Sequence, residues 1–264
     1  MRRLVSWPMY AVDAAAVARF WARLRVELVA AGISDVPADL TEPEVLGSHW
    51  QDPTLLLSQT CGYPFTTSLA GRVRYVATPC FAVPRCEDAS YRSAVVVRRD
   101  DPAPSLSAMR GRRAAFNGRD SQSGYNGLRA LVAPLASDGR FFGRTMETGA
   151  HRRSLRAVAS GEADLAAIDV VTLALVASQA PTEVSGLRIL CHTAAVPGLP
   201  LVTAAGTPDD ELMRLRGAVH AACASSAAAG ALLLSGSVVL PDRAYEVILA
   251  QRDGARRLGY PDVV

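Results

Sequence analysis

The chain has 264 residues, 50% hydrophobic and 20% charged, a composition that buries a real core and excludes an intrinsically disordered protein. Its net charge of +3 comes from 28 basic residues, all arginine and scattered without a basic run, against 25 acidic ones, so no nucleic-acid partner is expected. The five cysteines form no Cys-x-x-Cys pair and have no histidine at zinc-ligand spacing, so neither a metal site nor a cofactor is implied.

Leu4 to Trp7 reads as a first strand, ended by Pro8-Met9-Tyr10. Met1-Arg2-Arg3 ahead of it is followed by too short an apolar run for a secretion signal, so the chain as written is expected to stay in the cytoplasm. No stretch has the length and apolarity of a membrane span. Asp13 caps a helix to Ala31 whose Val17, Phe20, Trp21, Leu24 and Leu28 form one apolar stripe, with Gly32 past its end. Thr54 to Gln59 is a second strand that leads into Thr60-Cys61-Gly62-Tyr63-Pro64, and Val73 to Ala77 is a third. Cys80 and Cys86 are the only close cysteine pair and are read as free thiols in a chain without an export signal.

Tyr91 to Arg98 has the β-branched richness of a strand, broken by Asp101-Pro102-Ala103-Pro104. A run of β and α elements follows: strand 113–116, helix 123–133, strand 144–147, helix 151–160, strand 164–168, helix 170–178 and strand 187–192. Pro197-Gly198-Leu199-Pro200 breaks the pattern again, before a short strand at Leu201 and a helical stretch from Asp209 to Ala229. The two proline-rich breaks predict an α/β protein of two lobes. Residues 1–98 with 196–264 form the first, residues 99–195 the second, with two hinge crossings and a ligand cleft between them.

Ser121-Gln122-Ser123-Gly124-Tyr125 stands between a strand and a helical pattern. Helix N-termini present unpaired backbone N–H groups and a positive dipole end, so serine hydroxyls placed there suit an anion. Thr148-Gly149-Ala150-His151 also opens a helical pattern, and Asp169 closes an apolar strand. Successive β/α units would bring these clusters to one edge of a parallel sheet. Each has a plainer reading: Ser121 and Asp169 as helix caps, His151 as a satisfied helix-start residue, Tyr10 and Tyr63 as packing residues. No paired acid and base with separate roles is visible, so no catalytic residue is assigned.

In this order and spacing, Tyr91–Arg98, Ser105–Arg113, Ser121–Gly124, Thr148–His151, Gly161–Asp169 and Pro197–Pro200 resemble the phosphate/phosphite/phosphonate substrate-binding proteins of ABC importers, the PhnD-like branch of the type II periplasmic-binding fold. The resemblance spans nearly the whole chain. It implies a periplasmic, monomeric, non-enzymatic binding protein that closes on a small oxyanion and delivers it to an ABC permease. It implies as ligand residues Tyr10, Gln59, Tyr63, Ser121, Gln122, Ser123, Gly124, His151 and Asp169. His151 would add a charge-assisted bond if protonated. Where relatives that take aminoalkylphosphonates carry carboxylates, this chain has Val171 and Leu199, so an ammonium-bearing ligand is not expected. Asp169 stands where many relatives have a neutral amide, which would favour a protonated anion. A cytosolic enzyme or ligand sensor on the same fold is the alternative, because the fold by itself does not choose.

Overall fold

The computed structural model describes residues 3–241 and 243–264, apart from the side chain of Ser226. Its strands are β1 (Leu4–Ser6), β2 (Leu55–Gln59), β3 (Val73–Phe81), β4 (Ser90–Tyr91), β5 (Ser93–Arg98), β6 (Arg113–Phe116), β7 (Arg144–Glu147), β8 (Leu165–Asp169), β9 (Leu187–His192), β10 (Val196–Pro197), β11 (Leu201–Ala204) and β12 (Leu234–Val238). The chain divides into two units, Met1–Ser90 with Pro197–Ala244, and Tyr91–Val196 with Tyr245–Val264.

The first unit is built on a five-stranded sheet of order β1-β2-β11-β3-β12. β1 and β2 are parallel, so Ser6 and Ser58 lie side by side and the segments carrying Tyr10 and Gln59 leave from the same end. The helix Ala14–Ala30 buries Val17, Phe20, Trp21, Leu24 and Leu28, the predicted stripe. Asp13 Oδ1 accepts from the N–H groups of Ala15 and Ala16 at 2.8 and 3.1 Å, satisfying two donors of the first turn. β3 runs on through Pro79, beyond the end expected from that proline. Its pairing with β11 stops at Ala77, so Pro79 has a single bonded neighbour, β12, and its missing N–H disrupts nothing.

The second unit has a sheet of order β7-β6-β8-β5-β9. β7, β6 and β8 are parallel, whereas β5 runs antiparallel to both β8 and β9. The expected parallel sheet is therefore mixed, with β5 as its one reversed strand. The core includes Val95, Val97, Met109, Phe116, Leu128, Leu165 and Tyr260.

The lobe boundaries differ from those expected. Residues 91–98 belong to the second unit because Val95 and Val97 are fully buried in its core. Residues 245–264 also belong there, where Tyr260 and Val263 are buried, so the chain passes between units at 90/91, 196/197 and 244/245. The crossing at 90/91 lies within β4 and that at 196/197 within β10. Helix Glu246–Arg257 was not expected, because among its residues only Ile248 and Ala255 are buried and no apolar stripe announces it. The expected helix 209–229 breaks at Ser225, which takes an extended conformation. The five cysteines are free thiols. No helix is long and apolar enough to cross a membrane, and no metal-holding group of side chains exists among the described residues.

Candidate functional site

Parallel strands place their carboxyl ends on one edge, and in the second unit that edge collects the polar segments. β6, β7 and β8 end there at Phe116, Glu147 and Asp169, and antiparallel β5 begins there at Ser93. The Thr148 N–H donates to the Phe116 carbonyl at 2.9 Å, fixing the loop after β7 against the end of β6.

The helix after β6 does not start as an α-helix. Residues Gln122–Asn126 form a π turn, and the Asn126 N–H reaches back to the Ser121 carbonyl at 2.9 Å. Such single wide turns recur at functional sites because they insert one extra residue and re-aim the side chains around it. Ser121 caps the turn, its Oγ accepting from the Gly124 N–H at 3.0 Å. Ser121 Oγ and Ser123 Oγ are 3.4 Å apart, and Ser123 Oγ is hydrogen-bonded to His151 Nε2 at 2.7 Å. Ser93 Oγ donates to the Ser123 carbonyl at 3.0 Å, tying the turn to β5.

His151 is half-buried, and burial pushes its pKa down to about 4. Its place at the start of helix His151–Ala159 works the same way, since the positive dipole end disfavours imidazolium. The ring is therefore held neutral at physiological pH in the absence of a neighbouring anion. His151 Nδ1 and the neighbouring Asn117 Oδ1 are both buried without a hydrogen-bond partner, polar atoms that ordinarily find one. Gly124 is explained by the same corner. A Cβ on it would lie 2.0 Å from Asn117 Oδ1 and 3.2 Å from His151 Cε1, so any other residue there requires Asn117 or the turn to move.

Two predicted residues of the second unit, Gln122 and Asp169, make further contacts of their own, and three, Tyr10, Gln59 and Tyr63, belong to the first unit. Gln122 turns away from Ser121 and Ser123: its Nε2 donates to Gln251 Oε1 at 2.8 Å and its Oε1 accepts from Asn126 Nδ2 at 2.7 Å. Asp169 is the cap of helix Val170–Gln179, its Oδ1 accepting from Val171 and Thr172 N–H at 2.7 and 3.1 Å, which is the plainer reading of that residue. Val171 and Leu199 are buried apolar residues. Tyr10, Gln59 and Tyr63 belong to the first unit. There Tyr10 is buried edge-to-face on Phe81 at 5.0 Å, and Tyr63 lies in the short helix Gly62–Thr66. Gln59 is fully buried at the end of β2 with both carboxamide atoms unbonded.

Sequence reading missed Asn117 and Ser93. Asn117 carried a usable signal, a carboxamide directly after an apolar strand in the loop that leads to Ser121. Ser93 carried none, because its role depends on β5 pairing across β8.

The sequence profile of the family described as ABC transporter, phosphonate, periplasmic substrate-binding protein matches residues 64–234, well over half of the chain. The chain belongs to this family. Its fold is accordingly that of the type II periplasmic binding proteins. A binding-protein component of an ABC phosphonate transporter from Pseudomonas aeruginosa superposes with a TM-score of 0.77 at 15% identity, over 98% of this chain and 88% of that one. PhnD1 from Prochlorococcus marinus, in complex with methylphosphonate, gives 0.76 at 14% identity, over 97% and 98%. A Xanthomonas citri protein bound to ATP gives 0.72 at 17% identity, over 98% of both chains. Among curated proteins none matches the sequence. Family members are periplasmic substrate-binding components of transporters.

Proposed function

We propose that this protein binds a small phosphorus oxyanion, phosphate, phosphite or a simple phosphonate, for delivery to an ABC permease. The observation that carries this reading is the convergence of Ser121, Ser123 and His151 at the start of the π turn, with His151 Nδ1 and Asn117 Oδ1 buried and unbonded beside them. An oxyanion needs several donors at hydrogen-bonding distance, and hydroxyls, a neutral imidazole and the leading N–H groups of a helix supply them without a metal. Methylphosphonate and ATP, held by two proteins of this fold, share the phosphoryl oxygens that such a cradle would recognise. With Val171 and Leu199 apolar, nothing at those positions would pair an ammonium group, which favours simple anions over aminoalkylphosphonates.

The role of Asp169 is capping in this reading, so selection of a protonated anion does not rest on its carboxylate. Calorimetric titration of the purified protein with phosphate, phosphite, methylphosphonate, aminoethylphosphonate, sulfate and malate is the test. Binding of at least one of the first three in preference to sulfate and malate is expected. Preference for malate, or no heat with any phosphorus oxyanion, would overturn it.

A further inference from the structure

The π turn has a second face. Ser121, Ser123 and Gly124 face Asn117 and His151, whereas Gln122, Asn126 and Arg129 recur at helical spacing and face the C-terminal segment, residues 245–264. All three are almost completely buried. Asn126 Nδ2 donates both to Gln122 Oε1 at 2.7 Å and to the Ile248 carbonyl at 3.1 Å. Gln122 Nε2 donates to Gln251 Oε1 at 2.8 Å, and Arg129 Nη1 donates to the Pro261 carbonyl at 2.6 Å. Arg129 Nη2 also donates to Asn126 Oδ1, so a chain of polar contacts runs from the first residue of the turn to the last residues of the protein.

A buried helix face made of carboxamides and a guanidinium is an expensive way to achieve packing, since apolar side chains bury more cheaply. What directional hydrogen bonds add is register. A π turn differs from an α turn by one residue, and relaxation to the commoner geometry would rotate Ser123 relative to His151 and Gly124 relative to Asn117. Bonds to Gln122 and Asn126, at the first and last positions of the turn, hold it at both ends.

We propose that the C-terminal segment is a positioning element for the oxyanion cradle, with Gln251 holding the π turn through Gln122 and Asn126. Rearward bonding then sets the forward geometry that an anion meets. This rests on the oxyanion reading for its effect on affinity, but the holding of the turn can be observed without any ligand.

The test uses the full chain and the variants Gln251→Ala and Gln251→Glu, the second of which keeps an acceptor at the same length for Gln122 Nε2. Hydrogen exchange of the amides at residues 122–127 is followed without ligand, and affinity for phosphate, phosphite and methylphosphonate by calorimetry. Gln251→Ala is expected to speed exchange in the turn about fivefold or more and to weaken binding about five- to tenfold, with exchange elsewhere in the second unit unchanged. Gln251→Glu should restore most of both. Wild-type exchange and affinity in Gln251→Ala would overturn the proposal, as would uniform loss of protection throughout the unit or locally faster exchange without weaker binding. If the wild-type protein binds none of the three anions, the oxyanion reading fails, and the exchange result alone decides whether the C-terminal segment holds the turn.

Discussion

Each unit contains a serine and a histidine in short contact, and the two pairs differ in what surrounds them. In the first unit Ser6 Oγ meets His49 Nε2 at 2.8 Å, and the same hydroxyl meets Ser58 Oγ at 2.7 Å, which in turn accepts from Trp50 Nε1 at 3.2 Å. That chain links the parallel strands β1 and β2 to the short helix Leu46–Trp50, which carries His49 and Trp50. In the second unit Ser123 Oγ meets His151 Nε2 at 2.7 Å, but His151 Nδ1 is buried without a partner, beside a turn whose leading N–H groups begin a helix. Burial lowers both histidine pKa values; for His49 the charge of Asp52 opposes it, while for His151 burial acts alone. The lesson is that a Ser–His contact carries no function by itself. The two pairs differ in that the second leaves a fully buried ring nitrogen, His151 Nδ1, without a partner.

The comparison is most directly broken by removing the hydroxyls at the second pair. Ser121 and Ser123 replaced together by Ala should cost two hydrogen bonds to a charged ligand and weaken oxyanion binding by about a hundredfold, with circular dichroism unchanged. Wild-type affinity in calorimetry would mean that capping is the whole role of these serines. Gly124→Ala comes next. The added methyl must displace Asn117 or the turn, and the expected result is about 1–3 kcal/mol of lost stability together with roughly tenfold weaker binding. A crystal structure of the variant with Asn117 in place and unchanged affinity would contradict the packing argument.

The first pair should respond in the opposite way. Ser6→Ala deprives His49 and Ser58 of a buried partner and is expected to cost about 1–2 kcal/mol in denaturant unfolding, while oxyanion affinity stays within about twofold of wild type. A large affinity loss with intact stability would erase the distinction between the pairs. The smallest effect concerns pH. Above pH 6.5 His151 is neutral in both folded and unfolded chains, whereas between 6.5 and about 4 only the unfolded chain takes up the proton. Stability therefore falls as pH drops through that window and levels off below it. His151→Gln should remove this component, narrowing the Tm loss between pH 6.5 and 4 relative to wild type. Equal pH profiles for the two proteins would show that the ring is not held neutral.

Much of the architecture was legible because it rests on local rules. The stripe from Val17 to Leu28 with its Asp13 cap, the apolar strands ending at Gln59, Phe116 and Asp169, and the polar segment after each strand all follow from periodicity and capping. Gathering the Ser121 and His151 segments on one edge followed from the parallel run of β6, β7 and β8. The resemblance to a transporter family, read from six spaced motifs, agrees with the family that matches residues 64–234.

What the sequence determined by itself, then, was the order of elements, the family and the presence of Ser121, Ser123, Gly124 and His151 at the start of helices. Only the tertiary structure decided which of the neighbouring polar residues face His151 and Asn117. Gln122 and Ser123 are adjacent in the chain, yet one reaches back to Gln251 and the other forward to His151, because a π turn rotates successive side chains onto different faces. Asp169 became a cap through the helix that follows it, and residues 245–264 joined the second unit through hydrogen bonds to a turn more than a hundred positions away. Periodicity reports which face of an element is apolar; it holds no information about which distant carbonyl or carboxamide a buried polar side chain will meet.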